Sequence, residues 1–277
     1  MDGRLTALER RAQAEPGDVA LQLELATAYG RAGEARRAYR GFMAAGVEPP
    51  HEILVGLGAE QHLLLRSLGS VNAQVASDRA QWGWSWRDLP GFLRGEPAGP
   101  VAALNLSWQR LTPAQLQRVA ALITLQHLGL SGVPFDLGQR LRLLGPLRGL
   151  EVLDLSYTGL RDDQLPALGA YERLRILNLA SCSELVGSSL GALTKAPLVE
   201  LDLRLTAADD GTLEVLAGFP CLRRLCLLDC QRVSDRGLEL LSLAPTLESL
   251  DLSFCQGVSR AGVEALVERR PQLKVSR

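Results

Sequence analysis

Lysine is nearly missing from this chain. Only Lys195 and Lys274 stand among 277 residues, and arginine supplies the rest of the positive charge. Basic residues number 30 and acidic ones 31, a formal net charge of −1, so no bulk field draws the chain toward nucleic acid or an anionic membrane. Nowhere do about 18 apolar residues run together as a membrane-spanning helix requires. The opening MDGRLTALERRAQAEPGD also has no apolar core of a secretory signal. Histidine occurs only at His51, His62 and His127, with no pair at metal-ligand spacing, and neither GxxxxGK[ST] nor GxGxxG is present, which removes the common phosphate-cradling loops. Five cysteines, an odd number without a CxxC pair, fit a reducing compartment better than a disulfide framework or a zinc ribbon. These absences point to a cytoplasmic protein with no cofactor.

What the chain has in abundance is leucine at fixed intervals. The frame runs VAALNLSWQ from Val101, LQHLGLSGV from Leu125, LEVLDLSYT from Leu150, LRILNLASC from Leu174, LVELDLRLT from Leu198, LRRLCLLDC from Leu222 and LESLDLSFC from Leu247, with a stub at Leu273. Successive starts lie 24, 25, 24, 24, 24, 25 and 26 residues apart. A period of this length is the mark of a stacked repeat architecture. The L-x-L alternation buries one face of a strand, and later apolar positions such as Val233, Leu238 and Leu241 follow a helical spacing. Ser234-Asp235, Asp209-Asp210, Asp162-Asp163 and Thr112-Pro113 stand where helix starts need acceptors for free amides.

The pattern L-x-x-L-x-L-x-x-(C/T) resembles the leucine-rich repeat, in particular its ribonuclease-inhibitor-like and cysteine-containing kinds, over residues 101–277. The expected fold is an α/β solenoid with parallel strands on a concave face and helices on a convex one, because a unit of this size cannot cover its own apolar face. Cys182, Cys230 and Cys255 then share a phase with Thr158 and Thr206. Exchange with threonine predicts buried side chains that hydrogen-bond to neighbouring backbone rather than metal ligands.

Upstream, Leu25-Ala26, Tyr29, Ala38, Phe42 and Pro50 resemble the spacing of a tetratricopeptide repeat, with a turn glycine in RAGEARRA at 31–38 and residues 4–14 as a closing helix of a truncated unit. The expected organisation is a tetratricopeptide-like helical region at 1–52, a linker of short helices and a Trp-rich cap at 53–100, and a solenoid at 101–277. Within the linker, Trp82, Trp84 and Trp86 alternate at period two and suit an aromatic cover for the first coil.

Strand alternation assigns the residues that look out from the concave face. The middle row reads Asn105, Gly129, Asp154, Asn178, Asp202, Cys226, Asp251. Arg204 and Arg224 flank it, and one place further along lie the aromatics Trp108, Tyr157 and Phe254, against Gly132, Ser181 and Asp229 in sister repeats. Ser131, Ser156 and His127 do not form a catalytic set, since about 13 Å separates His127 from Ser131 along one strand, whereas a nucleophile and its base lie within about 3 Å of each other. The expected function is a non-enzymatic scaffold that binds a protein or peptide through Trp108, Asp154, Tyr157, Asp202, Arg204, Arg224, Asp251 and Phe254. Neither nucleic acid nor membrane is an expected partner. Resemblance to F-box substrate receptors of ubiquitin ligases suggests an adaptor as an alternative, with LPGFL at 89–93 as its only trace of a box. Resemblance to ribonuclease inhibitor suggests an enzyme inhibitor as the other.

Overall fold

A computed structural model describes residues 2–47, 49–50, 53–54, 57, 74–76, 100–133 and 141–277. Three helices come first: α1 (Asp2–Ala14), α2 (Val19–Arg31) and α3 (Ala35–Ala44). Asp18 caps α2 by accepting from the Leu21 amide at 3.0 Å, and Gly33, at φ 78°, turns the chain into α3 in the left-handed conformation that glycine adopts without a Cβ clash. Ala26, Ala38, Phe42 and Ile53 form a small buried cluster with Tyr29 packed against it.

The described strands make one sheet in sequence order: β1 (Gln74–Ala76), β2 (Ala103–Asn105), β3 (His127–Gly129), β4 (Val152–Asp154), β5 (Ile176–Asn178), β6 (Glu200–Asp202), β7 (Arg224–Cys226), β8 (Ser249–Asp251) and β9 (Lys274–Ser276). From β2 to β9 every pairing is parallel and in register, so Leu104, Leu128, Leu153, Leu177, Leu201, Leu225 and Leu250 stand in one column that Val275 continues. All seven leucines are buried, and a single core runs from Val101 to Leu273. The expected stacking of coils is therefore the observed one. Pairing outlasts the strands: Leu155 N donates to Asn178 O at 2.9 Å and Leu179 N to Asp202 O at 2.9 Å, and the other coils repeat this step.

Two features depart from the expectation. Short helices are expected between 53 and 100, yet Gln74–Ala76 forms strand β1, antiparallel to β2. The open edge of β2 presents unpaired amides and carbonyls, and β1 satisfies them. The other departure is on the helical side. Pro113–Ala120, Asp210–Ala217, Asp235–Leu241 and Arg260–Arg269 are α-helices, but Asp162–Ala170 and Leu190–Leu193 wind as 3-10 turns. Pro166 lies inside the first of these, where it lacks an amide and crowds the preceding turn. The second is only four residues long. The tryptophans at 82, 84 and 86 and the LPGFL segment lie outside the described residues.

The helix-start residues divide their work in a way that spacing did not foretell. Thr112 caps its own helix, with Gln115 returning the bond, and Asp209 accepts from Thr212 N at 3.0 Å. The residue after the cap reaches the next coil instead. Asp162 accepts from the amides of Val186 and Gly187, both at 2.8 Å. Asp210 takes Ser234 N at 2.8 Å and its hydroxyl at 2.6 Å, and Asp235 does the same for Ser259. Ser234 makes no side-chain cap of its own.

Candidate functional site: the sheet face and its C-terminal rim

The phase shared by cysteine and threonine forms a buried ladder. Thr158 Oγ1 donates to Leu155 O at 2.5 Å, and Cys182 Sγ approaches the same carbonyl at 3.5 Å from the next coil. Leu203 O likewise receives Thr206 at 2.6 Å and Cys230 at 3.1 Å, while Cys255 bonds Leu227 O at 3.0 Å. Each thiol thus fills the turn and satisfies a carbonyl of the coil before it, as exchange with threonine predicted. Burial pushes the Cys230 thiol up to about 11.

On the open side of the sheet, the middle row does local work. Asn105, Asp154, Asn178, Asp202 and Asp251 each accept from the amide two residues on, at 2.9–3.1 Å. A short Asx side chain bent onto its own backbone is a turn device. Cys226 occupies the same place and interacts with the Leu228 amide; burial pushes its thiol up to about 12.

Asp154 and Asp202, expected to look outward, are buried. Side chains in file about 4.8 Å apart, each folded back on its own coil, leave little surface. Burial raises the Asp154 carboxyl above its ordinary range, against the lowering effect of the Ser156 amide and hydroxyl. Ser156 Oγ sits 2.7 Å from Asp154 Oδ1 and 2.8 Å from Ser131 Oγ. Arg204 turns inward too: its Nε lies 2.8 and 2.9 Å from the two oxygens of Asp202. Arg224 stays half exposed, with Nε donating to Glu200 at 2.8 Å. Asp251 is half buried, with one oxygen on the Ser253 amide and the other 3.9 Å from Cys226 Sγ.

The exposed candidates collect at the rim where the strands end. Trp108, Tyr157 and Phe254 are 65%, 54% and 75% exposed, and Leu205, which has no ring to mark it in the sequence, is 39% exposed. All four have positive φ, between 56° and 64°, a left-handed conformation that disfavours bulky side chains by about 1–2 kcal/mol. Neighbouring coils hold the backbone there: Trp108 N donates to Ser131 O at 2.7 Å, Tyr157 N to Ala180 O at 2.9 Å and Leu205 N to Leu228 O at 2.9 Å. At the opposite rim a groove of about 810 Å³ has an apolar floor that includes Pro197, Val199 and Pro220, with Arg175, Arg223 and Arg224 around it and Cys221 among its walls. Among the described residues no His, Cys, Asp and Glu side chains group as metal ligands, and no helix is long and apolar enough to cross a membrane.

The leucine rich repeat family model matches residues 244–267. No curated protein matches the chain. Among solved structures, internalin C2 of Listeria monocytogenes is similar at 23% identity and TM-score 0.49, covering 63% of this chain and 70% of its own. A second Listeria internalin (inlF) is similar at 16% identity and TM-score 0.46, covering 63% of this chain and 53% of its own. A chain of the Drosophila Toll–Spatzle complex is similar at 16% identity and TM-score 0.43, covering 60% of this chain and 21% of its own. With its leucines in one column and its strands parallel and in register, the fold is an α/β leucine-rich repeat solenoid preceded by a helical region.

Proposed function

We propose that the chain is a non-enzymatic interaction scaffold that binds a protein or peptide on the sheet face of its solenoid, along the C-terminal rim. Leucine-rich repeat proteins typically mediate protein–protein interaction. The observation that carries the reading here is that large apolar side chains are held exposed, at Trp108, Tyr157, Leu205 and Phe254, on backbone that disfavours them. Strain of this kind persists where the surroundings over-determine it, and it collects at functional positions. Exposed aromatics are also the residue type that anchors interfaces. Arg224 adds a half-exposed charge on the same face. Asp154, Asp202 and Arg204 serve as the supporting layer, because their polar groups are engaged with their own coils. That engagement takes from the acidic row the exposed charge with which an inhibitor of a basic enzyme would work. The tetratricopeptide-like reading of residues 1–52 is supported by the cluster of Ala26, Ala38 and Phe42, and we assign that region a capping role. Five free thiols fit a cytoplasmic location.

Affinity capture from native lysate tests this reading, with wild type set against a Y157A/F254A/R224A variant. The expected result is loss of the captured partner. Every partner retained at equal strength would refute it.

A further inference from the structure

The rim alternates. Counting coils from Val101, the odd ones carry Trp108, Tyr157, Leu205 and Phe254, and the even ones carry Gly132, Ser181 and Asp229 at the same position, all seven with φ between 56° and 64°. Bulk at this place has no folding role, since Gly132 meets the same backbone demand without strain. What alternation creates is a ridge on every second coil with a trough between. The first trough is filled: a Cβ on Gly132 would come within 2.1 Å of the Trp108 ring, and that ring meets Tyr157 at 5.4 Å between centroids. The alternation leaves two further troughs, over Ser181 and over Asp229, both half-buried.

Coils at the sheet are about 4.8 Å apart, so ridges repeat every 9.6 Å or so. A polyproline II helix turns once in three residues of about 3.1 Å, or about 9.3 Å. Over two troughs it drifts from the ridges by about 0.6 Å. An α-helix, returning to the same face after seven residues or about 10.5 Å, drifts by about 2 Å. An extended strand returns to one face every two residues or about 6.8 Å and misses the ridges altogether. Charge narrows the occupant further. Asp229 lies in the second of these, and its side chain contacts the neutral amide of Gln231, which also donates to Phe254 O at 2.9 Å. No cation pairs with it among the described residues.

We infer that the rim binds a proline-rich segment in the polyproline II conformation that carries an arginine or lysine, with its prolines in the troughs between Tyr157, Leu205 and Phe254 and its cation on Asp229. The inference rests on the reading of the rim as a binding surface and supplies the chemistry of the partner.

The test is a fluorescence anisotropy titration of the whole chain with a labelled synthetic peptide, APPLPPRPLP. One control peptide replaces its prolines with glycine and serine, and another replaces its arginine with glutamate. The expected Kd is on the order of 100 μM, with the glycine–serine peptide at least tenfold weaker. Y157G and F254G place at the rim the residue that coil two already uses, and circular dichroism checks their fold. Each should weaken the proline-rich peptide by about tenfold. D229N should weaken the arginine peptide about threefold and flatten its salt dependence, without weakening the glutamate peptide. No saturation by 2 mM, equal binding of the glycine–serine peptide, or undiminished binding by folded Y157G and F254G overturns the inference. If the peptide fails while a lysate partner still depends on Tyr157 and Arg224, this inference falls and the scaffold reading stands.

Discussion

Replacing Gly262 with alanine should change sign according to what stands at position 235. Gly262 is the third residue of the helix Arg260–Arg269, where alanine in place of glycine stabilises by about 0.5–1 kcal/mol. A Cβ there, however, would meet Asp235 Oδ1 at 2.1 Å. That carboxylate holds the Ser259 amide at 2.8 Å and its hydroxyl at 2.6 Å, so it must withdraw and release both. At about 0.5–1 kcal/mol net for each bond at this accessible site, the loss is about 1–2 kcal/mol. G262A alone should therefore destabilise by about 0.5–1 kcal/mol, and G262A made on a D235A background should stabilise by a similar amount, a coupling of about 1–2 kcal/mol. Urea unfolding of the four proteins, followed by circular dichroism, reads it. The bonds from Ser259 lower the Asp235 pKa below its ordinary 3.8. A depressed carboxylate contributes its stability above the unfolded value and loses it as pH falls through the folded one. The coupling should thus be full at neutral pH and fade only below 3.8. Equal effects of G262A in both backgrounds would refute the inter-coil role of Asp235.

L201A, in the middle of the leucine column, should cost about 2–5 kcal/mol in the same assay, while L243A, at a residue 74% exposed, should stay within about 0.5 kcal/mol; similar losses at both would contradict the column. Burial raises the Asp154 pKa above 3.8, so its charge weighs against folding as pH rises through and beyond that value. D154N keeps the acceptor oxygen, and denaturation across pH should show it more stable than wild type at neutral pH, with the gap narrowing as pH falls through the raised folded value and gone below 3.8; a gap independent of pH contradicts this. Half-exposed Cys221 should be alkylated first by iodoacetamide. Cys230 and Cys226, whose thiols are pushed up to about 11 and about 12, should lag it at least tenfold near pH 8, as timed peptide mapping would show.

Periodicity made the architecture legible. Leu153, Leu177, Leu201, Leu225 and Leu250 could be placed in one column because each residue's role recurs every 24 or 25 positions, and the same logic assigned Cys182, Cys230 and Cys255 to turn positions. Single coils were harder to read. The turn at 162–170 could have been anticipated from Pro166, but β1 obeys no repeat and follows from the unpaired edge of β2, a tertiary demand. Strand alternation put Asp154 and Asp202 on the open side of the sheet but carried no sign of their burial, since which way a short side chain bends is decided by its own backbone amides. Leu205 carries no ring, and only the alternation of large and small residues at that position marks it in the sequence.

That alternation makes the number of coils matter by parity. Each coil bonds to its neighbours through the same backbone register, so excising the fourth, residues 174–197, could close the ladder again with little disturbance inside. It would also bring Tyr157 and Leu205 from two coils apart to one, about 4.8 Å, and shut the trough over Ser181. Lengthening or trimming in pairs would preserve the pattern of crests and hollows, so a chain of this design can vary in size by doublets without rewriting its outer edge.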